Sequence, residues 1–208
     1  DAKYPDGLKS NDYKELYSRW FQFSAFTPVF RAHGTNVPRE VWQFGEKGTS
    51  YYDNQVKYIH LRYRLLPYIY SMSHQVTANS YTLLRGLAMD FTTDTRTFDI
   101  DNAYMFGTSL LVRPVFHPQS EEKNISVYLP EHNGGYWYDF WTGKAFEGGR
   151  EQMQANTLDI LPLYVKAGSI LPLAEVKQYV MEYPDRELEL RIYGGADASF
   201  LWYEDEGD

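Results

Sequence analysis

Near residue 97 this sequence changes its grammar, and that change constrains the fold more than any other feature. Before it, apolar residues recur at helical spacing over long stretches. Leu16, Trp20 and Phe23, and in parallel Tyr17 and Phe21, predict an amphipathic helix over 13–25, with Asp12 placed to cap it. Val56, Ile59, Tyr63, Leu66, Ile69, Met72 and Val76 predict a second helix over 52–78, kinked at Pro67, with Lys57, Arg62 and Arg64 on its wet or ion-paired side. Between and after these helices lie two dense apolar stretches. Phe26–Gly34 reads as a short buried strand. Tyr81–Phe91 reads as a strand buried on both faces, as in a parallel sheet with right-handed crossovers.

After Asp94 no long helical period occurs. Short apolar runs follow at close spacing: 103–106, 109–116, 125–129, 136–140, 158–165, 170–173 and 188–193, separated by Gly and Pro. This is the pattern of an antiparallel β-sandwich. Glu187–Tyr193 alternates strictly and predicts one wet face, and Gly194-Gly195 predicts a turn with Ser199–Tyr203 returning as a hairpin. The charge divides at the same place. Residues 1–97 hold 12 Lys and Arg against 9 Asp and Glu, whereas residues 98–208 hold 8 against 19. The expected organisation is therefore three regions: 1–97, 98–178 and 179–208.

Composition excludes several function classes. The net charge of −8 argues against a nucleic-acid partner. The absence of cysteine removes disulfides and thiolate metal sites, and no metal site or cofactor is expected. No run approaches the ~20 apolar residues of a membrane span. The sequence starts on aspartate rather than methionine, so a piece of a longer protein is the expectation. Rings are abundant, with 19 Tyr, 12 Phe and 5 Trp, and suit both packing and sugar stacking.

The most informative residues for chemistry are Arg31 and His33. They end the predicted strand Phe26–Gly34, and the ends of barrel strands are where α/β barrels do chemistry. The plain alternative is an ion-paired arginine and a hydrogen-bonded core histidine. The loop that follows, 34–50, carries Trp42, either a sugar platform or a loop anchor in the core.

Several blocks carry a resemblance. Tyr17–Phe23, Phe30-Arg31-Ala32-His33-Gly34, Leu61–Tyr70, Tyr104–Gly107 with Leu110–Val115, Tyr128-Leu129-Pro130, Trp137–Gly143 and Val165–Pro172 resemble glycoside hydrolase family 31, in order and over most of the chain. The resemblance implies an α/β plus all-β fold: the C-terminal part of a (β/α)8 barrel over 1–97, a proximal antiparallel β-sandwich over 98–178, and the start of a second, distal β domain over 179–208. It implies a retaining exo-acting α-glycosidase as the parent protein. The Val41–Gly45 loop and the Met89-Asp90-Phe91 strand end look most like α-xylosidases that trim xyloglucan oligosaccharides, with an α-glucosidase of the same family as the alternative.

The resemblance places His33 against the sugar of the −1 subsite, with Arg31 as the other half of its motif; Trp42 is read from the residues alone as either a plus-subsite sugar contact or a loop anchor. No catalytic residue is carried over, because the blocks bearing the nucleophile and the acid/base have no match here. Asp90, Asp94, Asp99 and Asp101 read as caps and turns. The piece alone is expected to be inactive. Its partners are then an oligosaccharide substrate and the remainder of the parent chain, with self-association into a homo-oligomer as another way to cover a bare strand edge. A periplasmic or secreted location is favoured over a cytoplasmic one. Outside the hydrolases, Trp137, Tyr138, Phe140 and Trp141 invite a non-catalytic carbohydrate-binding β-sandwich module.

Overall fold

A computed structural model describes residues 3–133, 135–182 and 187–205. The first part is helical. Helix α1 (Asn11–Ser24) starts where the Ser10 hydroxyl accepts a hydrogen bond from the Tyr13 amide at 3.3 Å, so the cap is Ser10 and not Asp12, which instead sits in the first turn. Helices α2 (Ser50–Arg64) and α3 (Leu66–Asn79) meet at Leu65. Pro67 explains the break: it lacks an N–H and its ring clashes with the carbonyl four residues earlier. The two helices bury one line of side chains, Tyr58, Leu61, Leu65, Tyr68 and Met72.

α1 turns only one of its two predicted stripes inward. Tyr13 and Phe21 are buried, while Trp20 is 61 % exposed. The cause is polar. Arg19 Nη1 donates to the Thr157 carbonyl at 3.0 Å and Arg19 Nη2 to Asn156 Oδ1 at 2.7 Å. Gln22 Nε2 and Asn54 Nδ2 both donate to the Leu158 carbonyl, at 2.5 and 2.7 Å. Docking on this loop fixes the helix's rotation. Buried polar groups without partners would be costly, and here the Asn156 side chain and the carbonyls of Thr157 and Leu158 supply them.

The second part is built of β1 (Leu84–Gly86), a helical turn α4 (Leu87–Asp90), β2 (Tyr104–Phe106), β3 (Leu110–Val112), β4 (Asn124–Leu129), β5 (Tyr136–Asp139), β6 (Ala145–Glu147), β7 (Arg150–Ala155), β8 (Leu163–Lys166), β9 (Ser169–Leu173) and β10 (Glu189–Tyr193). Six form one sheet in the order β1-β2-β3-β8-β5-β6, and β4–β7 and β9–β10 form two-stranded sheets. Every pairing among the described residues is antiparallel. Thus the architecture is mixed helix and sheet, with antiparallel sheets.

The core lies between the sheets and under α2–α3. Leu110, Leu111 and Val112 are buried, as are Ile125, Val127 and Leu129 along one face of β4. Trp137 is fully buried and donates from Nε1 to the Pro130 carbonyl at 2.8 Å. At the β2–β3 turn the Tyr68 hydroxyl donates to the Phe106 carbonyl and accepts from the Ser109 amide, at 2.8 and 3.1 Å. It occupies the space a side chain on Gly107 would need, and Gly107 has φ +64°.

Four sequence expectations need correction. Phe26–Gly34 forms no strand. Within Tyr81–Phe91 only Leu84–Gly86 is strand, and it pairs antiparallel with β2 rather than lying in a parallel sheet. A parallel strand needs a neighbouring parallel strand, and none is present among the described residues. Arg85 instead folds back on Asp90, Nε to carboxylate at 2.8 and 3.0 Å. Third, Ser199–Tyr203 does not return as a hairpin strand. Phe200 stacks on Tyr68 at 5.7 Å and the Tyr203 amide donates to Ser71 Oγ at 3.0 Å, so the segment lies on α3. β10 pairs with β9 and leaves the apolar Leu190 and Ile192 58 % and 73 % exposed, the reverse of the expected wet face.

Candidate functional site

The segment leaving α1 turns and then runs on without regular structure, yet it is firmly held. Four consecutive carbonyls, those of residues 25 to 28, are taken up by two side chains. Arg62 Nη1 donates to Ala25 and Thr27 at 2.9 and 2.6 Å, and Nη2 donates to Pro28 at 3.1 Å. The Tyr104 hydroxyl donates to Phe26 at 2.8 Å. The Phe26 ring is fully buried, edge-on to Tyr58 and Phe106. Phe30 packs edge-on to Phe21 at 4.8 Å. Burial pushes the Arg62 guanidinium down to about 10 and the Tyr104 phenol up. Both therefore keep their protons at neutral pH and act as fixed donors. The Ala25 carbonyl belongs to the last turn of α1, where a cation is favourable.

Beyond this clamp the chain opens to solvent. Val29, Arg31 and His33, at alternate positions, are all exposed, with Val29 at 73 %. Neither the ion-paired Arg31 nor the buried His33 of the plain alternative is seen: among the described residues neither side chain has a hydrogen-bond or ion-pair partner. The Arg39 guanidinium lies across Gly34, in space a side chain there would fill, and donates to the Val37 carbonyl at 2.9 Å. The loop then anchors itself through Phe44, which is buried and stacked on Tyr17 at 4.4 Å, and Tyr17 donates to the Arg39 carbonyl at 3.1 Å. Trp42 is therefore not the anchor. It sits in a 3-10 turn, Val41–Gln43, and is 69 % exposed.

The structure thus brings Arg31 and His33 to one open stretch and leaves Trp42 bare in the loop that follows. It also shows what the sequence reasoning missed: Arg62, Tyr104 and Phe44 build this region. One signal for Arg62 was available. No acid stands three or four residues from it on its helix, so its charge had to be met elsewhere. Among the described residues no group of three or more His, Cys, Asp or Glu is placed to hold a metal ion. Asp94 behaves as a cap, accepting from the Arg96 amide.

Comparison with known proteins gives this arrangement a context. Residues 7–72 match the glycosyl hydrolases family 31 TIM-barrel domain, and residues 80–171 match the family 31 C-terminal domain. The chain belongs to glycosyl hydrolase family 31. An alpha-xylosidase of Saccharolobus solfataricus is 45% identical over 196 residues, which is 94% of this chain and 26% of that protein. A 1,6-alpha-glucosyltransferase of Sporosarcina globispora is 36% identical over 97% of this chain and 16% of its own length. The crystal structure of the family 31 alpha-xylosidase from Xanthomonas citri superposes with a TM-score of 0.90 at 40% identity, over 99% of this chain and 22% of that one. Alpha-glucosidases and a dextranase are also among the family 31 relatives. The chain therefore spans about a quarter or less of the length of these relatives. No helix among its described residues is long and apolar enough to cross a membrane.

Proposed function

We propose that this chain is the C-terminal portion of a retaining, exo-acting α-glycosidase that removes terminal α-linked sugars, α-xylose from xyloglucan oligosaccharides first among them. One observation carries the reading. Arg31 and His33 stand unpaired and exposed on a segment that is rigidly held from beneath, as residues that contact a ligand must be. The 45% identity to an alpha-xylosidase favours xylose. The similarity to Alpha-glucosidase 2 of Bacillus thermoamyloliquefaciens, 34% identical, supports α-glucose as the second reading.

In this reading residues 1–97 close a (β/α)8 barrel, 98–178 form the proximal β-sandwich and 179–208 open a distal β domain. β1 stitches the first region into the sheet of the second. Phe26–Gly34 becomes a barrel strand once its neighbours in the parent chain lie beside it, and Val29, Arg31 and His33 then face the barrel's interior. His33 and Arg31 hydrogen-bond hydroxyls of the −1 sugar, and Trp42 offers a ring face to the sugar beyond. Bonds to ring hydroxyls strengthen as the oxocarbenium-like transition state develops. The two carboxylates of the retaining mechanism, about 5–5.5 Å apart, come from the parent chain outside these residues.

Two measurements test this. The isolated chain is expected to leave 4-nitrophenyl α-xyloside and α-glucoside unhydrolysed at high load, and to self-associate in light scattering unless the remainder of its parent covers it. In the full-length protein, His33→Ala is expected to lower kcat/KM for the xyloside by about 10²- to 10³-fold, the range for losing a group that stabilises a transition state. Turnover by the isolated chain, a monodisperse monomer, or an unaffected His33→Ala would each overturn the corresponding part.

A further inference from the structure

We propose that Arg62 and Tyr104 are positioning residues for the sugar-contacting segment, and that through Tyr104 the β region takes part in setting the −1 subsite; this rests on the reading of His33 given above. Among the described residues the segment pairs with no strand, so what this chain supplies to set its direction is side chains, and these fix where it leaves α1 whether or not parent strands lie beside it further on. Arg62 reaches it from α2 and Tyr104 from β2, a strand of the six-stranded sheet in a different region. Between them they hold the carbonyls of residues 25 to 28 without a gap.

The chemistry suits positioning rather than charge balance. Arg62 has no carboxylate partner among the described residues; all three of its hydrogen bonds go to main-chain oxygens. A planar guanidinium can bind three carbonyls in fixed directions, whereas a lysine ammonium holds one point in space. The Tyr104 ring is itself fixed edge-on to Phe23 at 6.0 Å, and its neighbour Phe106 is edge-on to Phe26. The clamp ends at Pro28, three residues before Arg31 and five before His33. A small rotation there swings both side chains, and a displacement of about 1 Å at a reacting centre can cost about 10²-fold in rate.

The test is a cycle of variants in the full-length enzyme with 4-nitrophenyl α-xyloside. Arg62→Lys is expected to lower kcat/KM about 10²-fold, with the loss in kcat and KM within about twofold, as for an interaction made in the transition state. Tyr104→Phe, which removes one hydrogen bond, is expected to lower kcat/KM about three- to tenfold. In a background that carries both His33→Ala and Arg31→Ala, neither change should lower activity further by more than about twofold, because residues acting through one another are non-additive.

Losses that simply add in that background overturn the clamp while leaving His33 as a sugar contact. Losses confined to KM do the same. A His33→Ala enzyme with unchanged kcat/KM overturns the sugar contact and the clamp's route together. Should Arg62→Lys fail to fold, Tyr104→Phe carries the same cycle, with its thermal melting compared against the parent.

Discussion

The two parts of this chain satisfy their main chains in different ways. In the β region each strand finds a partner inside the chain: β3 pairs with β8 from Leu110–Val165 to Val112–Leu163, and β4 pairs with β7 over six residues. In the stretch 25–49 the backbone has no strand partner among the described residues. Side chains from α1, α2 and β2 hold it instead, through Arg62, Tyr104 and Tyr17. The lesson is about strands. An apolar run specifies an extended segment, but it becomes a strand only where the partner strand is present.

This comparison breaks or stands most directly on hydrogen exchange. In the isolated chain, amides of β3 and β8 should be protected at least about 10³-fold more than those of residues 26–40, since opening free energies run from near zero to the global stability. In the full-length protein the gap should close, with 26–34 acquiring protection. Equal protection in the isolated chain would show that side-chain anchoring alone is as secure as a ladder.

The same contrast explains how far the sequence could be read. The helices α1 to α3 and most strands after Tyr104 were legible from periodicity and turn residues. β6 and β7 were not: Arg150–Ala155 reads Arg-Glu-Gln-Met-Gln-Ala, with no apolar alternation, because it lies against β4 with both faces wholly or partly wet. Tyr81–Phe91 misled for another reason. Its apolar character suits a strand in a closed sheet, but here it meets only β2. At the site, Arg31, His33 and Trp42 were visible as residue types. The partners of Arg62 and Tyr104 were not visible, because both serve carbonyls distant in sequence; for Arg62 only the lack of an acid three or four residues away hinted that its charge is met elsewhere.

The next largest effect concerns the core that the β region holds by itself. Trp137 is fully enclosed and bonded to Pro130. Trp137→Ala is expected to destabilise by about 3–5 kcal/mol, read as a shift in the urea midpoint of the full-length protein. A loss under about 1 kcal/mol would mean this region leans on the helices for its stability.

Asp94 gives a smaller and pH-dependent effect. Burial alone would raise its pKa, but hydrogen bonds from the Glu131 amide at 2.9 Å, the Tyr128 hydroxyl and the Arg96 amide outweigh it and hold the carboxyl below its usual value. A depressed folded-state pKa means stabilisation that is present above the unfolded value of about 3.9 and fades as pH falls through the folded one. Asp94→Asn should therefore cost about 1–3 kcal/mol at pH 7, and the gap to the parent should narrow in melts below about pH 4. A gap that is constant with pH would show that shape, not charge, fixes this turn.

The smallest effect on stability is expected at Trp42, and it sharpens the comparison because the loop around it has a clear anchor elsewhere. Phe44 is buried and stacked on Tyr17, so Phe44→Ala should destabilise by about 3–5 kcal/mol. Trp42 projects outward from the same turn, and Trp42→Ala should change stability by no more than about 0.5 kcal/mol. In the full-length enzyme the functional signature should be the opposite. Removing an exposed ring that stacks on the sugar beyond the cleaved bond raises KM for oligosaccharides and spares aryl glycosides, which lack that sugar. Equal effects on both substrate types, or a melting temperature that falls as far as for Phe44→Ala, would return Trp42 to a packing role and remove the plus-subsite contact from the proposed site.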